Sequence, residues 1–225
     1  MSRRYLGGMI SSNFNPFSYG AVRSGVFSLG QYTRAVSNGY WMPPNVVSYE
    51  TLTFVYGGNL TVTNNGTSSV NIFKTSGSNS WDNQAYCSTP FSAPITIEFN
   101  KLAGSSDNGA SYSMISLNSD PTTDASYSSL DYAAYPFMTS AYYYYHNGSG
   151  SGALSAWDSS KKFYIVYATN GYIYHYNGST LLASFNKGTG GTVYIDSSFY
   201  AVNSTYGGFS AIRAIKKTWN GTTYE

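Results

Sequence analysis

From residue 46 onward, short runs of alternating residues are separated by glycine-centred turns, and this rhythm constrains the fold more than any other feature. "NLTVTNNGTSSVNIFKTSG" reads as two strands around an Asn-Gly turn, a strong hairpin signal. "KKFYIVYATNGYIYHYNGSTLLASFN" reads as three strands turned at Asn170-Gly171 and Asn177-Gly178. Further strands are predicted in "VSYETLTFVYGG", "APITIEFNKLAG", "ASYSMISLNSD", "LDYAAYPFM", "AYYYYHNGSG", "GGTVYIDSSFYAVNS" and "GGFSAIRAIKKTW". Ten to twelve short strands with no interleaved helix predict an all-β, antiparallel β-sandwich or jelly roll. No internal repeat marks a propeller or solenoid.

The residue budget agrees with that pattern. Among 225 residues, aromatics make up 18% and charged residues only 10%, against a usual charged share of about a quarter. Such a chain is too aromatic and too weakly charged for disorder. The net charge of +2 gives no dense basic stripe of the kind nucleic-acid readers carry. Cys87 is the lone cysteine, which excludes an intramolecular disulfide and a cysteine-based zinc site and suggests a small buried residue. No apolar run is long enough for a membrane span, and "MSRRYLGGMISS" lacks the apolar stretch of a secretory signal. Synthesis in a cytosol is therefore expected, with the Asn-x-Ser/Thr triplets marking turns.

Pro43-Pro44 divides the chain into an arm, residues 1–44, and a sandwich domain, residues 45–225. The arm carries Arg3, Arg4, Arg23 and Arg34 and no acid, which suits docking onto another protein. It holds one helical candidate, with Ser28 and Gln31 as a capping box, Phe27 and Tyr32 as a hydrophobic staple, and Gly39 as the stop. At about two and a half turns, that helix needs a surface to lie on.

Two resemblances attach to these segments. "FYIVYATNGYIYHYNGSTLLASF" is similar to the central hairpin of concanavalin-like (laminin-G-like) sandwiches, and "YGGFSAIRAIKKTW" is similar to their last strand. "GGMISSNFNPFS" followed by "SGVFSLGQYTRAVSNGYWMPP" resembles the N-termini of virion and tail proteins of tailed bacteriophages, through Gly25, Val26, Phe27, Ser28, Leu29, Gly39, Trp41 and Pro43. The second resemblance implies a virion structural protein of tail-fibre or knob type, found in the virion after synthesis in the host cytoplasm. Its arm would anchor to other virion proteins through Arg3, Arg4, Phe14, Phe17, Arg23, Val26, Phe27, Leu29, Tyr32 and Trp41. A homo-oligomer is expected, trimers being usual for fibres, although no heptad pattern marks one. A capsid decoration or cement protein held by Tyr-rich interfaces is the alternative.

Catalysis finds little support. A glycosidase needs two carboxylates flanking the scissile bond, whereas Glu98 stands alone in "ITIEFN" and Asp107, Asp120, Asp124 and Asp131 lie in loop-like segments. His146 and His175 are the only histidines, and neither forms a triad legible in sequence. No cofactor is expected. Laminin-G-like domains often carry one Ca²⁺, for which Asp120 and Asp124, or Asp82 and Asn83, supply oxygens, but two carboxylates are few for that ion.

Glycan binding fits better, because sugars stack on aromatic faces while amides and carboxylates take the hydroxyls. The candidates are Tyr143, Tyr145, His146 and Asn147 after the tyrosine run; Tyr172, Tyr174 and Asn177 in the second hairpin; and Trp81, Asp82 and Trp157 in loops. The expected ligand is a host-surface polysaccharide. The same tyrosines equally suit strand packing or a subunit interface. Within 142–145, alternation sends one pair into the core and the other outward, and a bulge at Pro136 would shift the register.

Overall fold

The computed structural model describes residues 47–101, 112–138, 141–202 and 207–225. The expectations for the arm, including its helix and its anchoring residues, lie outside the described residues.

Fourteen strands occupy the described residues: β1 (Phe54–Tyr56), β2 (Leu60–Thr63), β3 (Val70–Lys74), β4 (Asn83–Cys87), β5 (Ile95–Lys101), β6 (Ser113–Asn118), β7 (Tyr132–Met138), β8 (Ala141–His146), β9 (Ser149–Gly150), β10 (Phe163–Tyr167), β11 (Tyr172–Asn177), β12 (Thr180–Asn186), β13 (Tyr194–Phe199) and β14 (Phe209–Ile215). They form two antiparallel seven-stranded sheets. The first runs β1-β4-β13-β6-β7-β8-β9 and the second β12-β11-β10-β5-β14-β3-β2. The fold is thus the expected β-sandwich. The exception to the strand reading is β4, whose first residue, Asn83, the sequence offers as a metal-ligating oxygen rather than as the start of a strand. It is a strand because Asn83, Ala85 and Cys87 alternate into the interior.

The core lies between the sheets and is built from period-two alternation. Ile72, Ile97, Phe99, Leu117, Phe163 and Phe209 are among its fully buried members. Phe99 stacks on Phe163 at 5.5 Å and meets Phe209 edge-on at 5.3 Å, geometries that aromatic quadrupoles favour. Cys87 is buried as expected. Lys74 is buried too, its ammonium held by the Ser80 and Tyr200 carbonyls and by Asp82 at 2.8 Å. That arrangement satisfies all three of its donors.

The tyrosine run divides by parity. Tyr142 is fully buried, and its hydroxyl meets His175 Nδ1 at 2.5 Å, while Tyr144 packs partly buried against the same core. Tyr143 and Tyr145 face outward over the first sheet. The register between β7 and β8 shifts between Pro136 and Met138, at the position where proline withdraws a ladder donor.

Candidate binding site

On the outer face of the second sheet, β11 presents Tyr172, Tyr174 and Tyr176, because Ile173, His175 and Asn177 turn inward and are buried. Tyr172 and Tyr174 lie nearly parallel, 17° apart with centroids separated by 5.9 Å, and Tyr174 to Tyr176 measures 6.3 Å. Asn170, at the turn before the strand, donates to the Tyr174 hydroxyl at 3.0 Å and accepts from the Tyr172 amide at 3.0 Å. The ring row is thereby fixed from the turn. Gly171, at φ 85° and pressed against Gly188 and Thr189, makes that turn, and a Cβ there would clash at 2.7 Å.

The segment after β14 folds back beside this row. Trp219 stacks on Tyr164 at 4.5 Å and 16°, donates its indole N–H to the Gly178 carbonyl at 3.2 Å, and donates its amide to Thr96 Oγ1 at 3.0 Å. Tyr224 donates to Glu98 Oε2 at 2.8 Å. Burial pushes the Tyr164 hydroxyl up to about 12, with the Glu98 charge adding to it, and burial raises Tyr224 well above the ordinary range, with Glu98 again reinforcing. Both phenols are therefore neutral donors at any physiological pH. Between β11 and this segment lies a shallow cleft of about 290 Å³, lined by Asn170, Tyr174, Tyr176, Trp219, Asn220 and Glu225, among others.

Glu98, alone in sequence, is not alone in space. It is buried, with Lys162 at 2.9 Å and Arg213 at 3.5 Å on Oε1 and Tyr224 on Oε2. Its work is to clamp the returning segment onto the sheet, and both carboxylate oxygens are occupied by it.

The sequence-predicted residues disperse. Tyr174 lines the cleft, and Tyr172 continues its ring row beyond it. Tyr143, Tyr145 and Trp81 lie on the opposite side of the sandwich, in a patch with Tyr127, Tyr135 and Phe137. Trp81 meets Tyr127 at 5.1 Å and Tyr135 at 6.1 Å, and Tyr145 meets Tyr127 at 5.2 Å. His146 stacks on Tyr132 at 4.9 Å, with Nδ1 2.9 Å from the Asp131 carbonyl. Asn147 is a turn residue at φ 48°.

Two expectations are corrected by burial. Trp157 packs edge-on against Phe163 at 5.1 Å inside the core. Asn177 is buried with its amide donating to the Asp158 and Lys161 carbonyls and its oxygen accepting from the Asp158 amide at 2.7 Å. Neither offers a face or a free donor to a sugar. Alternation could have shown this for Asn177, which shares parity with His175. Sequence reasoning missed Tyr176, although its parity matches Tyr174, and Trp219 and Asn220, whose approach to β11 is non-local.

Asp82, Asp120 and Asp124 do not fit a calcium ion. Asp82 bonds Lys74 and Asn83, and the Lys74 ammonium is the chief reason its carboxyl falls to about 2. Asp120 accepts from Thr123 Oγ1 at 2.9 Å, and Asp124 from the Ser126 amide at 2.7 Å, so both cap their own turns. Among the described residues no three His, Cys, Asp or Glu side chains converge. A carboxylate that sequence reasoning passed over, Asp196, lies fully buried on the outer side of the first sheet. It accepts from Gln84, Asn118 and the Ser197 amide, yet burial outweighs these donors and lifts it to about 7.

No protein-family model and no curated protein matches this sequence. Among solved structures, the chain is similar to the SPRY domain of human HERC1, at 16% identity over 75% of this chain and 96% of that one, TM-score 0.49. It is also similar to the carbohydrate-binding module CBM66 from Bacillus subtilis, at 13% identity over 74% and 95%, TM-score 0.41. The exoplasmic/lumenal domain of VIP36, in its Ca²⁺/Man3GlcNAc-bound form, is similar at 8% identity over 83% and 93%, TM-score 0.42.

Proposed function

We propose that this chain is a non-enzymatic carbohydrate-binding protein whose site is the cleft along β11. The observation that carries the reading is the row Tyr172–Tyr174–Tyr176, held at one sugar-sized interval after another beside Trp219 and Asn220. Aromatic faces with amide and carboxylate groups at their margin are what sugar C–H patches and hydroxyls require. A hydrolytic role is disfavoured because both Glu98 oxygens are already engaged in the clamp.

The bacteriophage resemblance of residues 1–44 extends the proposal. The protein serves as a virion structural component of tail-fibre type, its arm anchored to the particle and its sandwich turned toward host-surface polysaccharide. The decoration-protein alternative draws on a different observation, the aromatic patch around Tyr143 and Tyr145, which suits a contact between subunits.

Isothermal titration of extracted host polysaccharide into the protein tests the site. Tyr174→Ala should weaken binding at least tenfold while Tyr143→Ala leaves it unchanged; the reverse result would move the site to the other sheet. If particles still incorporate the protein after residues 1–44 are deleted, the anchor assignment is wrong.

A further inference from the structure

Resting on the carbohydrate reading of the cleft, we infer that its ligand is an uncharged, extended polysaccharide held across three successive sugar units. Acidic glycans are disfavoured by the same geometry.

The three tyrosines project from alternate residues of one strand, so their spacing follows the strand repeat of about 6.6 Å per two residues. The observed 5.9 and 6.3 Å follow that repeat, with the first two rings 17° apart and the second pair 44° apart. One ring per sugar unit is the match such a row offers to an extended chain.

The two ends of the row differ. Tyr172 is 38% exposed at the first end, while at the other the returning segment closes in, with the Trp219 indole on the Gly178 carbonyl and Gly221 beside Ser179 and the Tyr176 ring. A bound chain can run on past Tyr172 but meets this segment beyond Tyr176.

The polar margin decides charge. Among the described residues that line the cleft, the polar ones are Thr169, Asn170, Thr218, Asn220 and Glu225, and none is a lysine or arginine. Asn170 is bonded to Tyr172 and Tyr174, and Asn220 to Thr222, Thr223 and Glu225. Acidic sugars need a cation, best a guanidinium, to replace the water they lose. Several described cations around this sheet are committed elsewhere: Lys162 and Arg213 hold Glu98, Lys161 pairs with Asp158, and Lys187 donates to the Gly190 carbonyl at 2.9 Å. Among the described residues lining the cleft, the one charge an acidic chain would meet is that of Glu225, which repels it.

The test is calorimetric titration of the full chain with two series of one to six units. One is neutral (β-linked gluco-, xylo-, manno- and N-acetylglucosamine oligomers), the other acidic (oligogalacturonates). For at least one neutral series, affinity should rise at least tenfold between two and three units and level off thereafter, with the acidic series at least tenfold weaker. Tyr172→Ala should lower affinity for the trimer and longer chains while leaving the dimer unchanged. Equal affinity for one and six units, or tighter binding of the acidic series, would overturn the inference while leaving the carbohydrate reading intact. No heat from any series or from host polysaccharide would overturn both.

Discussion

On the outer face of the first sheet, Tyr135 packs among Phe137, Tyr143 and Tyr145, with Trp81 and Tyr127 leaning in from flanking loops. On the outer face of the second, Tyr172, Tyr174 and Tyr176 stand in single file, with asparagines and a carboxylate at their side. Ring count does not separate these faces; neighbours do. In the first, rings cover rings, leaving Tyr135 only 7% exposed, and burial drives its hydroxyl far above the ordinary range. In the second, the leading ring stays open to solvent and polar side chains border the row. The first face buries its aromatic area, and the second leaves it open, as the proposed sugar site requires.

Four changes would break or sharpen that contrast. The largest effect is expected beneath the first face, at Asp196. Its folded pKa of about 7 lies above the usual value near 4, so the folded state holds a proton that the unfolded chain has lost. Stability from this group is fully present below about pH 4 and is lost as pH rises to about 7. Asp196→Asn should therefore gain stability relative to the parent progressively between about pH 4 and 7, and then level off, in urea melts across that range. Buried His175, lowered to about 3 by burial, acts with the opposite sign in both proteins, losing stability as pH falls below about 6.5. It cancels in the comparison. A pH-independent difference would mean that Asp196 is ionised in the folded protein.

Next in size, Tyr135→Ala should cost about 3 kcal/mol in urea unfolding, by removing a buried ring from a packed patch. Glycan binding should persist at any temperature where the variant is folded. Third, Tyr224→Phe removes the hydroxyl that meets Glu98 and should cost about 1 kcal/mol, together with a few-fold loss of glycan affinity as the cleft wall loosens. Equal affinity in that variant would show that the Trp219 stack alone holds the wall. Smallest on stability is Tyr172→Ala, expected within about 0.5 kcal/mol as a surface change. If Tyr172→Ala proves as destabilising as Tyr135→Ala, the distinction between the faces collapses.

Much of the sandwich was legible because its strands obey a two-residue period and its hairpins carry Asn-Gly. "NGYIYHYNG" shows both at once, and the parity it implies puts His175 on the face opposite Tyr174 and Tyr176; the structure adds that His175's face is the buried one. β4 was obscured because a polar Trp-Asp-Asn-Gln run opens it, and polar residues at a strand's start read as loop. Trp157 was misplaced for a related reason: a tryptophan in a Gly/Ser-rich stretch has no periodicity to announce that it folds back into the core. The quartet 142–145 was resolved only in part, since alternation separates the pairs without saying which pair meets the other sheet.

Local sequence was enough to determine the antiparallel sandwich and the alternation of the tyrosines, through the order of apolar and polar residues, and the proline's missing donor marked where the β7–β8 register shifts. The tertiary structure alone decided that Trp219 and Asn220, some forty residues from β11, would wall its tyrosine row, and that Glu98 would hold Tyr224 of the same segment. Such contacts depend on which sheet face a returning segment covers, and no local pattern encodes the partner on the far side of that approach.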